Sequence, residues 1–290
     1  MTFNDNANIG GGRVSKRGRN AALGAGGGGL VVIALVVVSQ LIGFDVTGLA
    51  PVIQGGGGTP TEESLEQCQT GEDANENIDC RMQGAAVALD AYWETQVDGY
   101  TGPQMVIFQD SVQTGCGSAT SAVGPFYCPP DQTVYLDTAF YDDLVSQFGA
   151  TGGPLAQMYV VAHEWGHHIQ NITGTMNGLD LQDQGPTSDG VRLELQADCY
   201  AGSWVKAAST VPGENGVPFL VQPTDAELAD ALNAAAAVGD DHIQETLGGG
   251  QVNPETWTHG SSESRQKWFN LGYTQGVGAC DTFAASGSEL

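Results

Sequence analysis

The stretch Val160-Val161-Ala162-His163-Glu164-Trp165-Gly166-His167-His168 contains H-E-x-x-H, and the reading of the whole chain turns on it. The apolar run from Met158 to Ala162 leads into it as a buried helical turn would. On a helix, His163 and His167 lie four positions apart and project from one face, as two imidazole ligands of a single Zn²⁺ must. Glu164 then points beside the metal rather than onto it. A carboxylate there can take a proton from a water whose pKa the metal has lowered, so one helix supplies two ligands and a base. That is the arrangement of a metallopeptidase. With only five histidines in 290 residues, chance is a poor explanation of the match. The plain alternative is a helix carrying two unmetallated histidines.

A zinc site needs a third protein ligand, and only His168, His242 and His259 remain among the histidines. His168 adjoins His167 and faces elsewhere. A better candidate is Arg192-Leu193-Glu194-Leu195-Gln196-Ala197-Asp198, where Glu194 and Asp198 again share one helical face. This E-x-x-x-D stretch resembles the gluzincin pattern. There a glutamate completes a His₂Glu site, and an aspartate accepts a hydrogen bond from a ligand histidine's other nitrogen, fixing its tautomer. The resemblance implies those roles for Glu194 and Asp198. The competing reading is two acids on the wet face of an ordinary helix.

Taken with its flanks, the chain resembles the putative neutral zinc metallopeptidase family, a group of membrane-anchored, gluzincin-like proteins. The matching segments are Gly124-Pro125-Phe126-Tyr127-Cys128-Pro129, Val134-Tyr135-Leu136-Asp137, the two zinc segments and His259-Gly260-Ser261-Ser262. They spread from about Gly115 to Gly276. The resemblance implies an α+β, zincin-like fold, mostly helical with a small sheet. It does not extend to metzincins: Gln170 stands three positions after His167, and no H-E-x-x-H-x-x-G-x-x-H follows. In zincin-like folds an edge strand above the active-site helix pairs with the extended substrate. By resemblance that strand is Thr133 to Leu136, the alternative being an internal core strand. His259 precedes serines that could cap a helix. It could donate to the oxyanion that forms on an attacked carbonyl, or simply hold its loop; both readings stay open.

A chain of this length with 41% hydrophobic residues can hold one catalytic domain plus appendages. Thirty-four acidic against 9 basic residues give a formal charge of −25, and four of the bases (Arg13, Lys16, Arg17, Arg19) precede residue 20. So acidic a body should repel nucleic acid, which excludes that class of partner, though the acidity fits adaptation to high salt equally well. Residues 1–20 are Gly/Asn-rich without hydrophobic periodicity and read as a disordered basic cytoplasmic tail. Residues 21–44 carry no charge and are densest in apolar side chains from Leu30 to Val38, the length of a transmembrane helix. The basic cluster before it sets the tail inside and the body outside, a single pass in the cell membrane. A cleaved signal peptide competes with the anchor, but no small-x-small site follows at once. Residues 45–63, with Gly55 to Gly58 and Pro60, read as a linker, leaving 64–290 as the peptidase ectodomain.

Within that ectodomain the pattern predicts helices at Gln83 to Val97, Asp142 to Phe148, Gly190 to Ser209, Asp225 to Val238 (N-capped by Thr224) and Ser261 to Tyr273. Met105 to Phe108 reads as a strand, and Thr173 to Asp189 as a loop rimming the cleft. Six cysteines on the outer side of the apolar stretch argue for disulfides. Spacing leaves several connectivities open; Cys68–Cys80 and Cys116–Cys128 close short loops, and Cys199–Cys280 is the pair that remains. C-x-x-C spacing for a cysteine metal site is absent. The chain thus reads as a peptidase acting on a peptide or protein substrate with one Zn²⁺ held by His163, His167 and Glu194, with Glu164 as base. The alternative is a non-catalytic extracytoplasmic binding protein with a structural zinc, which would need no Glu164.

Overall fold

The computed structural model describes residues 2–17, 62–246 and 248–290. The architecture is mixed α+β, eight helices with a small sheet among the described residues. The strands are β1 (Val14–Arg17), β2 (Glu62–Ser64), β3 (Gln104–Phe108), β4 (Ser111–Thr114), β5 (Gly117–Thr120), β6 (Phe126–Cys128) and β7 (Thr133–Asp137). The helices are α1 (Gly71–Glu76), α2 (Ile78–Trp93), α3 (Phe140–Ser146), α4 (Pro154–Ile172), α5 (Asp189–Ala207), α6 (Asp225–Ala237), α7 (Asp240–Thr246) and α8 (Ser262–Gln275).

The main sheet runs β2-β1-β3-β7-β6, with β4 and β5 forming a separate hairpin. Strand β7 is parallel to β3 and antiparallel to β6, and every one of its residues is buried. The edge strand beside the zinc-motif helix is therefore β6, which corrects the placement of Thr133 to Leu136 at the edge. The physical reason lies in the sequence: Val134-Tyr135-Leu136 is a continuous apolar run, as a strand covered on both faces requires.

Helix boundaries follow local chemistry. Asn77 caps α2, its side chain accepting from the N–H groups of Asp79 and Cys80 at 2.8 and 3.2 Å, which starts the helix earlier than its apolar periodicity suggests. Thr224 and Glu227 form a reciprocal capping box at the start of α6. Pro154 opens α4 at a position where its missing N–H costs nothing.

Helix α4 is buried on nearly all sides, between α5, α6, α2 and the sheet. Its approach to α5 depends on Gly166: a Cβ there would stand 3.0 Å from the Ala197 Cα. Helices α5 and α8 cross still more closely, through Gly202 and Gly272, where a Cβ would fall about 2 Å from the Phe269 and Cys199 carbonyl oxygens. Disulfides join Cys68–Cys80, Cys116–Cys128 and Cys199–Cys280. The last closes 81 positions and ties α5 to the C-terminal segment, worth about 4.5 kcal/mol on chain-entropy grounds.

The expectation of a disordered tail over residues 1–20 is overturned for residues 2–17. Phe3, Ala7, Ile9 and Val14 are buried in the same core as α2, and β1 pairs with both β2 and β3. Their irregular spacing hides them, because Phe3, Ala7 and Ile9 lie outside any helix or strand and Val14 only begins β1. The linker also ends sooner than expected, since Glu62 and Glu63 belong to β2. The stretch 21–44, expected to cross a membrane, and residues 45–61 of the linker lie outside the described residues. Among the described residues no helix is long and apolar enough to span a bilayer.

Phe3 packs its ring against Gly84, where a Cβ would come within 2.7 Å of it. Truncation to alanine is expected to destabilise the domain by about 3–5 kcal/mol, read as a lowered unfolding midpoint. An unchanged midpoint would return residues 2–17 to the status of a loose tail.

Candidate metal centre

Helices α4 and α5 meet face to face, and each presents the polar side chains predicted for it. Among the described residues, His163, His167 and Glu194 form a group whose ligand atoms all lie within 4.8 Å of one another. The Nε2 atoms of His163 and His167 stand 3.0 and 3.4 Å from the two Glu194 carboxylate oxygens. Each imidazole is held from behind through its other nitrogen. His163 donates from Nδ1 to Asp198 Oδ1 at 2.8 Å, and His167 donates from Nδ1 to Gln170 Oε1 at 2.9 Å. With Nδ1 held by its acceptor, each Nε2 faces the carboxylate, and in the metal-free protein the His163 imidazolium donates from Nε2 to Glu194 Oε2. Ligand atoms so converged suit a cation in place of that proton, and the His₂Glu donor set suits zinc.

Asp198 is fully buried, and three side chains donate to its carboxylate. Besides His163, Tyr159 donates to Oδ1 at 2.5 Å, and Arg265 donates from Nε to Oδ2 at 2.8 Å and from a terminal nitrogen to Oδ1 at 3.1 Å. Burial alone would raise the Asp198 pKa, but the Arg265 guanidinium and His163 hold it below the ordinary carboxylate range. Glu194 follows the same pattern: burial pushes up, and His167, His163 and His259 together hold it well below its usual value. Burial would depress the His163 imidazole, yet the carboxylates of Asp198 and Glu194 override it and push the metal-free group up to about 10.

Glu164 is buried beside His163, and none of the described residues hydrogen-bonds its carboxylate. His259 comes from the loop between α7 and α8 and lies within electrostatic reach of Glu194. Its Nδ1 faces Thr258 Oγ1 at 2.9 Å and Asp240 Oδ1 at 3.3 Å. Asp240 Oδ2 accepts the backbone N–H groups of Thr258, His259 and Gly260 at 2.6–2.8 Å, fixing the loop. Burial would lower the His259 pKa, but the Asp240 hydrogen bond and the Glu194 charge raise it. His168 faces away from the centre, between the Tyr127 hydroxyl and the Thr101 carbonyl.

Four residues of this centre escaped the sequence reading. Gln170 was visible at three positions past His167, on a shared face, and Tyr159 at four before His163. Arg265 could have been singled out as one of few bases in an acidic body. Asp240 gave no signal, because tertiary folding alone brings it to His259.

Gln170 is wholly buried, and its amide also donates to the Leu193 carbonyl at 2.7 Å. Gln170→Leu would leave the His167 Nδ1–H and the Gln196 Oε1 without the Gln170 amide that pairs them, at about 1–3 kcal/mol each. We expect both a lower unfolding midpoint and faster zinc loss to a chelator. Parental zinc retention would show that Gln170 does not orient the ligand.

The fold and the centre define an α+β protein in which two helices bring two histidines and a glutamate together as a group able to hold a metal ion. The sequence profile of the family described as "Putative neutral zinc metallopeptidase" matches residues 2–283, and the chain belongs to that family. It is similar to the uncharacterized protein Rv2575 of Mycobacterium tuberculosis, 54% identical over 224 residues, covering 77% of this chain and 76% of the relative. It is also similar to the uncharacterized protein YpfJ of Escherichia coli, 37% identical over 285 residues, 94% of this chain and 92% of the relative. No solved structure shows significant similarity.

Proposed function

We propose that this protein is a zinc-dependent peptidase of gluzincin type on a zincin-like scaffold, hydrolysing peptide bonds outside the cytoplasm. The observation that carries the reading is the convergence of His163, His167 and Glu194, each imidazole held from behind, with Glu164 alongside. Zinc bound there would acidify a water and polarise the scissile carbonyl.

The chain's own groups supply the rest. Glu164, buried and without a protein hydrogen-bond partner among the described residues, accepts the proton of the attacking water and delivers it to the departing amine. His259, protonated more readily than a free imidazole and held at Nδ1 by Asp240, turns Nε2–H towards the carbonyl oxygen as negative charge develops. Strand β6 offers a free edge for an extended substrate backbone. Tyr127 on that strand fixes it to the zinc-motif helix, its hydroxyl contacting His168 and Asn171 at 3.0 and 2.8 Å. Three disulfides support an oxidising compartment, and the apolar composition of residues 21–44 supports attachment to a membrane.

The test joins elemental analysis with an unbiased peptide library. About one zinc per chain and cleavage that stops on chelation and returns with zinc are expected. Zinc binding without cleavage of any peptide would favour a structural metal and overturn the peptidase reading.

A further inference from the structure

The three disulfides have unequal access to solvent. Cys68 and Cys80 lie in the main core, 0 and 2% exposed, and Cys199 and Cys280 are sealed equally well where α5 meets the C-terminal segment. In the third pair Cys128 is also buried, whereas Cys116, on the turn between β4 and β5, is partly exposed. Thiol–disulfide exchange needs a thiolate to reach one sulfur of the bond, so access decides which bond reacts in the folded protein. Of the six cysteines, only Cys116 is not buried.

That bond sits against the free-edge strand. Successive residues of a strand point to opposite faces of the sheet, and Val106, Phe108 and Tyr135 face away from the main core into a small second cluster. The β4–β5 hairpin covers this face with Val112 and Ala119, and β6 adds Cys128. The hairpin forms no ladder with the main sheet. At its open end, Asp137 accepts from the Asp110 N–H at 3.2 Å and from the Ser121 hydroxyl. At its turn, the Gly115 N–H donates to Asp131 Oδ2 at 2.7 Å, Arg17 donates to the Gln113 carbonyl at 3.1 Å, and the disulfide makes the covalent tie. Strand β6 is only Phe126–Cys128 and pairs with β7 alone. Cys128 thus braces its last residue on the hairpin side, while Tyr127 braces it on the helix side through His168 and Asn171.

We propose that the Cys116–Cys128 bond is a redox switch on substrate binding: a dithiol reductant opens it in the folded protein, frees the β4–β5 turn from β6 and slackens the edge that receives the substrate. The inference rests on the peptidase reading above, in which β6 pairs with an extended substrate backbone. One thiolate of the reductant attacks Cys116 Sγ and expels Cys128 as a thiolate. The second thiol then displaces Cys116 and closes the reductant's own disulfide. Two electrons pass from the dithiol to the protein, and its two protons finish on the two cysteine sulfurs. The three converging donors stay in place, since the groups behind the imidazoles, Asp198 and Gln170, belong to α5 and α4. Reduction therefore raises KM and leaves kcat unchanged.

The test titrates the zinc-loaded full chain with dithiothreitol under native conditions, traps free thiols by alkylation and locates them by mass spectrometry. Cys116 and Cys128 are expected to be labelled while the other four cysteines stay bonded. Amide hydrogen exchange over residues 115–128 should quicken. KM should rise about 10-fold, the worth of one or two lost hydrogen bonds, at unchanged kcat. The double variant Cys116→Ala/Cys128→Ala should show the raised KM without reductant and no further response to it, which separates opening of the bond from zinc taken up by the reductant. Labelling of either other pair first would overturn the proposal, as would unchanged exchange once Cys116 and Cys128 are free. Cleavage with the same KM in both states would overturn the switch alone. No cleavage in either state would overturn the peptidase reading and, with it, the bond's role in substrate binding.

Discussion

Glu164→Gln is expected to keep zinc and the native fold while lowering peptidase turnover by about 10²–10⁴-fold, the range for loss of a positioned general base. Glutamine matches glutamate in size, and the side chain holds none of the three converging donor positions. What changes is basicity: an amide cannot take the proton from water or return it to the amine. Zinc stoichiometry and single-turnover cleavage, measured on the same preparation, separate the two quantities. Full activity in this variant would sink the assigned mechanism; loss of zinc along with activity would show that Glu164 is a ligand.

The readable parts of this centre were those that local periodicity places. His163 and His167 are linked by helical spacing, and so are Glu194 and Asp198; a structure is needed only to bring the two faces together. Cysteine pairing was legible for a similar reason, since two pairs close short loops. Arg265 and Asp240 belong to a different category. They reach Asp198 and His259 across 67 and 19 positions, through helix packing that no window of sequence contains. The N-terminal segment failed for a third reason. Phe3, Ala7, Ile9 and Val14 sit among Gly, Asn and Asp at no fixed period, so composition read them as solvated, while the core takes each one singly. Strand β6 was passed over because Phe126-Tyr127-Cys128 is short and framed by prolines, a weak signal beside the apolar run of β7.

These long-range partners alter what the acids of α5 should do when changed. Glu194→Ala removes one of the three proposed ligands outright, and zinc should be lost under mild chelation together with activity. Asp198→Asn keeps an oxygen that can accept the His163 Nδ1–H, so the imidazole stays oriented while its basicity falls. The cost in metal affinity should be about 10- to 100-fold. Asparagine also strips the counter-charge from Arg265, which is 3% exposed and loses its salt bridge with Asp198. An uncompensated buried charge costs about 3–5 kcal/mol, so the Asp198 variant should unfold earlier than the Glu194 variant while holding zinc more tightly. Opposite rankings for stability and metal retention are a result that neither a purely structural pair of acids nor a pair of direct ligands would give. Zinc dissociation and thermal unfolding of both variants, with dissociation measured well below either transition, decide the matter. If the Asp198→Asn protein loses metal as completely as the Glu194→Ala protein, or if the latter binds zinc like the parent, the division of roles between the two acids is wrong and His259 becomes the next candidate for the third ligand.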